Sequence, residues 1–100
     1  MNEVIKTIAE QIDWRELHLA NFNMGYDNQN DSLTIKKGKK FMTIRYNSGM
    51  DTYIVESGNW NTNFEITSET DTNVYFDQLK PLIETHFTGF EYIMEGLLNA

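Results

Sequence analysis

The sequence predicts one α+β domain, with an N-terminal helix, a three- to four-stranded antiparallel meander, and a C-terminal helix followed by a short tail helix. The helices are expected on one face of the sheet. Three observations carry this reading. Apolar residues recur at helical spacing near both ends of the chain, the period drops to two in the middle, and turn signals cut that middle into consecutive runs.

The first helix is read from Val4, Ile5, Ile8, Ala9 and Ile12, which fall on one stripe at three- and four-residue steps. Asn2 can cap it, Glu3 suits the positive end of its dipole, and it should stop near Asp13. Leu17, Leu19 and Phe22 alternate as a short strand would. The stretch Gly25-Tyr26-Asp27-Asn28-Gln29-Asn30-Asp31 has the composition of a polar loop.

Leu33 and Ile35 open the two-residue period, and Gly38 can take the positive φ of a tight hairpin inside Lys36-Lys37-Gly38-Lys39-Lys40. Met42, Ile44 and Tyr46 share a face of the next strand, and Asn47-Ser48-Gly49 is a second turn. Thr52-Tyr53-Ile54-Val55 makes a third strand, ended by Ser57-Gly58-Asn59, and Phe64-Glu65-Ile66-Thr67 a fourth. Tyr75, Phe76, Leu79, Leu82, Ile83, His86 and Phe87 then form a helical stripe, with Asp71 or Thr72 as cap and a kink expected at Pro81. Gly89 suits a helix end, and Phe90, Ile93, Met94, Leu97 and Leu98 space the tail helix.

At 100 residues, 40% hydrophobic with 13 aromatics, the chain suits a single domain over 1–100, and its apolar content argues against disorder. No Cys is present, which removes disulfides, thiol nucleophiles and sulfur-ligated zinc. No apolar run approaches the roughly 20 residues of a membrane span, and the start lacks the pattern of a signal peptide. A soluble, cytoplasmic protein is the expectation, with no membrane partner.

Charge divides the chain unevenly. Residues 1–50 carry seven basic and six acidic side chains, whereas residues 51–100 carry Lys80 against nine acidic residues, and the whole is −7. Such a half repels phosphates and attracts basic protein surfaces. A solvated acidic face is the plainer explanation of the same counts.

The blocks Asp31-Ser32-Leu33-Thr34-Ile35-Lys36, Ile44-Arg45-Tyr46-Asn47, Met50-Asp51-Thr52-Tyr53, Val74-Tyr75-Phe76-Asp77-Gln78-Leu79-Lys80-Pro81 and Thr88-Gly89 resemble, in order, those of a family of small uncharacterised bacteriophage and prophage proteins. The resemblance covers residues 30–89 and implies a phage or mobile-element origin, placing the protein in the cytoplasm of an infected or lysogenic bacterium. It implies no mechanism. The segment 57–63 and the acidic tail after Gly89 depart from the family pattern.

Catalytic patterns are missing from the sequence: no metalloprotease, dinucleotide, phosphate-loop or nucleophile-elbow motif occurs. A non-catalytic protein without cofactor or metal is expected. Asp27-x-Gln29-x-Asp31 imitates a calcium loop but has Ser32 and Gly38 where Gly and Glu are needed. His86, on an apolar stripe, reads as a hydrogen-bonded core or boundary residue.

Two candidate surfaces remain. The first is acidic and would bind a basic host or phage protein, with inhibition of a nucleic-acid-handling defence enzyme as one such role. Its candidates are Asp77 and Glu84, seven apart on one helix, Glu91 and Glu95, four apart in the tail, and Trp60. Trp60 is either an exposed anchor or folded back on the sheet. The second is basic: Lys36, Lys37, Lys39, Lys40 and Arg45 could contact phosphates, against which stand the net charge and the lack of interleaved aromatics. Hairpin lysines also deter strand-to-strand aggregation. An assembly role is a third possibility, through a homodimer built on the 90–98 tail if that helix does not dock on its own core.

Overall fold

The structure is a computed structural model that describes residues 1–60, 63 and 65–87. The first helix, α1, spans Glu3–Gln11. Asn2 caps it as its sequence suggests, the side-chain oxygen accepting from the N–H of Ile5 at 2.8 Å. The amide of Asn2 also donates to Asp31 at 2.7 Å, which ties the start of the helix to a turn of the sheet. The chain leaves α1 through Asp13, which sits at φ 55° in the left-handed region.

Where a strand was expected, residues Trp14–Leu19 form a second helix, α2. The Asp13 carbonyl accepts from the N–H groups of Glu16 and Leu17 and starts the turn. The two leucines record the difference. Two residues apart, they would share a face on a strand, but on a helix they diverge; Leu17 is buried and Leu19 is 82% exposed.

Among the described residues the sheet has five strands, not three or four: β1 (Asn23–Asp27), β2 (Ser32–Lys37), β3 (Lys40–Asn47), β4 (Thr52–Trp60) and β5 (Ile66–Val74). They form one antiparallel meander in sequence order. The added strand is β1, which lies in the stretch read as a loop. Its polar sequence has little strand character of its own, but it is held in register along β2 from Asn23↔Lys36 to Asp27↔Ser32. The β2–β3 hairpin turns on Gly38, at φ 61°, as predicted.

Both later strands outrun their expected limits. β4 continues through Ser57-Gly58-Asn59 to Trp60. β5 continues to Val74, taking in the residues expected to cap a helix. A bulge opposite Ile54 places Asn73 at φ 58° and re-aligns the ladder from Val55↔Asp71 to Tyr53↔Val74.

The C-terminal helix also starts later than expected. A 3-10 turn, Phe76–Gln78, leads into α3 (Leu79–His86). Pro81 is the third residue of α3, where a backbone N–H has no partner within the helix, so it removes no helical hydrogen bond and the reason for the expected kink falls away. Tyr75 and Phe76 are correspondingly exposed rather than in the core. Gly89 and the tail helix expected over 90–98 lie outside the described residues.

The three helices of the described residues pack on one face of the sheet, in the α+β arrangement predicted. Ile5, Ile8, Ile12, Leu17, Leu79, Ile83 and Phe87 share one core with Leu33, Ile35, Met42, Ile44 and Val55 from the inward positions of β2, β3 and β4. Phe22 and Phe87 meet edge to face at 5.0 Å and close the core below the hairpin.

Candidate functional site: a basic hairpin and an acidic edge

The hairpin lysines divide by strand alternation. Lys37 and Lys40 form the closing pair of the turn and point to the helical face. Lys37 Nζ donates to the carbonyl of Ala20, just past the end of α2, at 2.6 Å. Lys40 Nζ donates to the carbonyl of His86, the last residue of α3, at 2.9 Å. Each cation thus meets unpaired carbonyls at the negative end of a helix dipole. Lys36, Lys39 and Arg45 remain exposed. The basic cluster seen in sequence is therefore divided, with two lysines turned inward to the helices and three cations facing solvent.

His86 has the hydrogen-bonded setting its position suggested. Its Nε2 lies 3.0 Å from the carbonyls of both Phe41 and Gly58, so that nitrogen carries the proton and donates. This fastens the end of α3 to β3 and β4.

The outward face of the sheet brings together residues far apart in sequence. The ring of Phe41 lies over Gly58, where a Cβ would stand 2.4 Å from Phe41 Cζ. Trp60 stacks on Phe41 with centroids 5.6 Å apart and planes at 16°. Lys36 Nζ lies 5.8 Å from the Trp60 ring centre. Trp60 is thus folded back on the sheet and half-buried. The sequence shows no aromatics interleaved with the lysines, yet the β2–β3–β4 pairing delivers two beside Lys36. Further along this face Thr34 and Thr43 bond across strands at 2.9 Å, and Ser68 donates to Glu56 at 3.0 Å.

The acidic candidates are distributed differently from the sequence reading. Asp77 is exposed in the 3-10 turn and Glu84 is exposed on α3. The break between the two elements means their seven-residue spacing no longer sets a shared helical face. Glu84 lines a narrow cleft between α2 and α3 with Ile12, Glu16, Leu17, Lys80 and Ile83. Lys80 is drawn there to Asp13 and Glu16, at 3.9 and 3.8 Å. Burial, with a hydrogen bond to Asp13, pushes the Glu16 carboxyl above its usual range despite that ammonium. Glu91 and Glu95 lie outside the described residues.

Sequence reasoning missed the carboxylates of β5. Glu69 and Asp71 stand opposite Ser57 and Val55, on the helical side of the sheet, and both are exposed; Glu69 lines a shallow cavity with Ser57 and with His86 of α3. Among the described residues neither they nor Asp77 and Glu84 pair with a cation. β5 is, among the described residues, an edge strand, exposed at every position except Val74. Its signal was present in the run Ile66-Thr67-Ser68-Glu69-Thr70-Asp71-Thr72, which has no Gly or Pro and three threonines.

Among the described residues no three His, Asp or Glu side chains gather as a metal site, and no helix is long and apolar enough to cross a membrane. No known protein family, curated protein or solved structure matches the chain.

Proposed function

We propose that the protein is a non-catalytic accessory protein of phage or mobile-element type that binds a partner protein with a basic surface. The observation that carries the reading is the fate of its cations. Lys80, the one basic residue after position 50, is held between Asp13 and Glu16, and Lys37 and Lys40 are directed to helix ends. The exposed carboxylates of β5, the 3-10 turn and α3 are therefore left with little local compensation, and their field reaches about 8–10 Å into physiological buffer. Inhibition of a nucleic-acid-handling enzyme would use such a surface in place of phosphates.

The test is affinity capture from a bacterial host lysate with the native chain and a variant carrying Glu69→Lys, Asp71→Lys, Asp77→Lys and Glu84→Lys. A partner held by the native chain and lost by a variant of unchanged melting temperature supports the proposal. A partner retained by the variant moves the interface elsewhere.

A second reading, a weak single-stranded nucleic-acid binder, draws on Lys36 beside the stacked Phe41 and Trp60, with Lys39 and Arg45 nearby on the chain. It requires binding that weakens steeply with salt and disappears in the Lys36→Ala, Lys39→Ala variant. No gel shift at low salt removes it.

A further inference from the structure

We infer that the outer edge of β5 accepts an added strand, and that the strand it takes carries Lys or Arg at alternate positions. This rests on the acidic-surface reading and specifies how that surface is engaged.

The two ends of the sheet differ. β1 is five residues long, contains Gly25, and its one carboxylate is engaged in its own turn, Asp27 accepting from the N–H of Gln29 at 2.9 Å and from Asn30 at 2.6 Å. β5 is nine residues long, and over Ile66–Asp71 it runs in unbroken register along β4. Among the described residues β4 is its only neighbour, so alternate N–H and C=O groups along its far edge point away from the sheet. Proteins usually blunt such an edge with Pro, a bulge, short length or charged side chains. Here the bulge comes at its end, around Asn73, and among the described residues the regular six before it have no strand on their far side; the charges of Glu69 and Asp71 guard them against a like-charged strand but not against a basic one.

Side-chain register sets the chemistry of the occupant. Thr67, Glu69 and Asp71 lie on one face of β5, and Ile66, Ser68 and Thr70 lie on the other. A second copy is a poor occupant: in the antiparallel register that overlaps all nine residues, Glu69 of each copy would stand directly opposite Asp71 of the other, an arrangement that destabilises a sheet. A strand with cations at every second position meets Glu69 and Asp71 on one face and sets its other residues beside Ile66, Ser68 and Thr70. Backbone pairing supplies affinity and the alternating cations supply selectivity, as in other cases of strand addition.

The test uses the full chain and three synthetic decapeptides: one alternating Lys and Thr, one with five Lys followed by five Thr, and the alternating peptide N-methylated at every backbone amide. The inference expects the alternating peptide to bind at least about tenfold tighter than either of the others and to shift the backbone amide resonances of residues 66–71. Equal binding of all three at low salt would overturn strand addition and leave the acidic surface standing as a charge-only site. Shifts confined to Asn23–Asp27 or to the outward face would place the peptide off β5 and also overturn it. No binding by any of the three at low salt would overturn the inference together with the reading it rests on.

Discussion

Lys40 Nζ sits 2.9 Å from the carbonyl oxygen of His86, so a cation at the mouth of the β2–β3 hairpin closes the last turn of a helix 46 residues further on. Lys37 does the same for α2 through Ala20. Replacing either with Met keeps the aliphatic stem and removes the charge and the donor, and should cost about 1 kcal/mol. Lys36→Met and Lys39→Met should stay within about 0.5 kcal/mol. Urea unfolding of the four single variants checks the division; four equal effects would contradict it.

Gly58 is fixed by the ring above it. Gly58→Ala would place a methyl 2.4 Å from Phe41 Cζ and 3.0 Å from the Thr67 carbonyl, so Phe41 must leave its place against Trp60. The expected loss is about 1–3 kcal/mol with a change in tryptophan emission. In a Phe41→Leu background the same substitution should cost distinctly less, and a double-mutant cycle measures the difference.

Glu16 gives stability a pH dependence of known sign. Its folded carboxyl holds a proton more strongly than the unfolded one, because of burial first and the Asp13 hydrogen bond second. The folded state therefore binds more protons across that window, and this group's contribution falls as pH rises through it. Glu16→Gln should match the native melting temperature at about pH 3 and gain on it by about pH 7. Thermal melts across the range check this; a variant that loses ground as pH rises would show that the Lys80 ion pair outweighs burial.

Pro81 occupies a position that tolerates it. Pro81→Ala should lower stability by no more than about 1 kcal/mol, through greater freedom of the unfolded chain. A proline inside the helix would instead cost about 3 kcal/mol, and removing it would raise stability by that amount. Chemical denaturation tells these signs apart.

Strong periodicity made much of this fold legible. The stripe Val4–Ile12, the Asn2 cap, the Gly38 turn and the inward faces of β2 and β3 all follow from residue type and spacing. The misreadings share a cause, which is that partners distant in sequence decide the local structure. β1 is a strand because β2 offers it a ladder, and Gly58 sits within β4 because Phe41 fills the space above it. The αL turn at Asp13 and the pairing of β5 with β4 likewise override the simple spacing of Leu17 and Leu19 and of Tyr75 and Phe76. At the candidate site, the acidity of the second half was plain from the chain, but its placement on a strand at the edge of the described sheet was not. Edge position is a property of the sheet, and no single strand encodes it.

The proposed binding surface requires that the position of its carboxylates, and not net charge, hold the partner. The most direct measurement compares two variants of equal net charge, Glu69→Gln with Asp71→Asn, and Glu3→Gln with Glu10→Gln, each moving the chain from −7 to −5 by removing two negative charges. Dissociation constants for the captured partner should rise by at least about tenfold in the β5 variant and by less than about twofold in the α1 variant. Equal weakening in both would show that overall charge alone drives binding, and an unchanged constant in the β5 variant would place the partner elsewhere on the molecule.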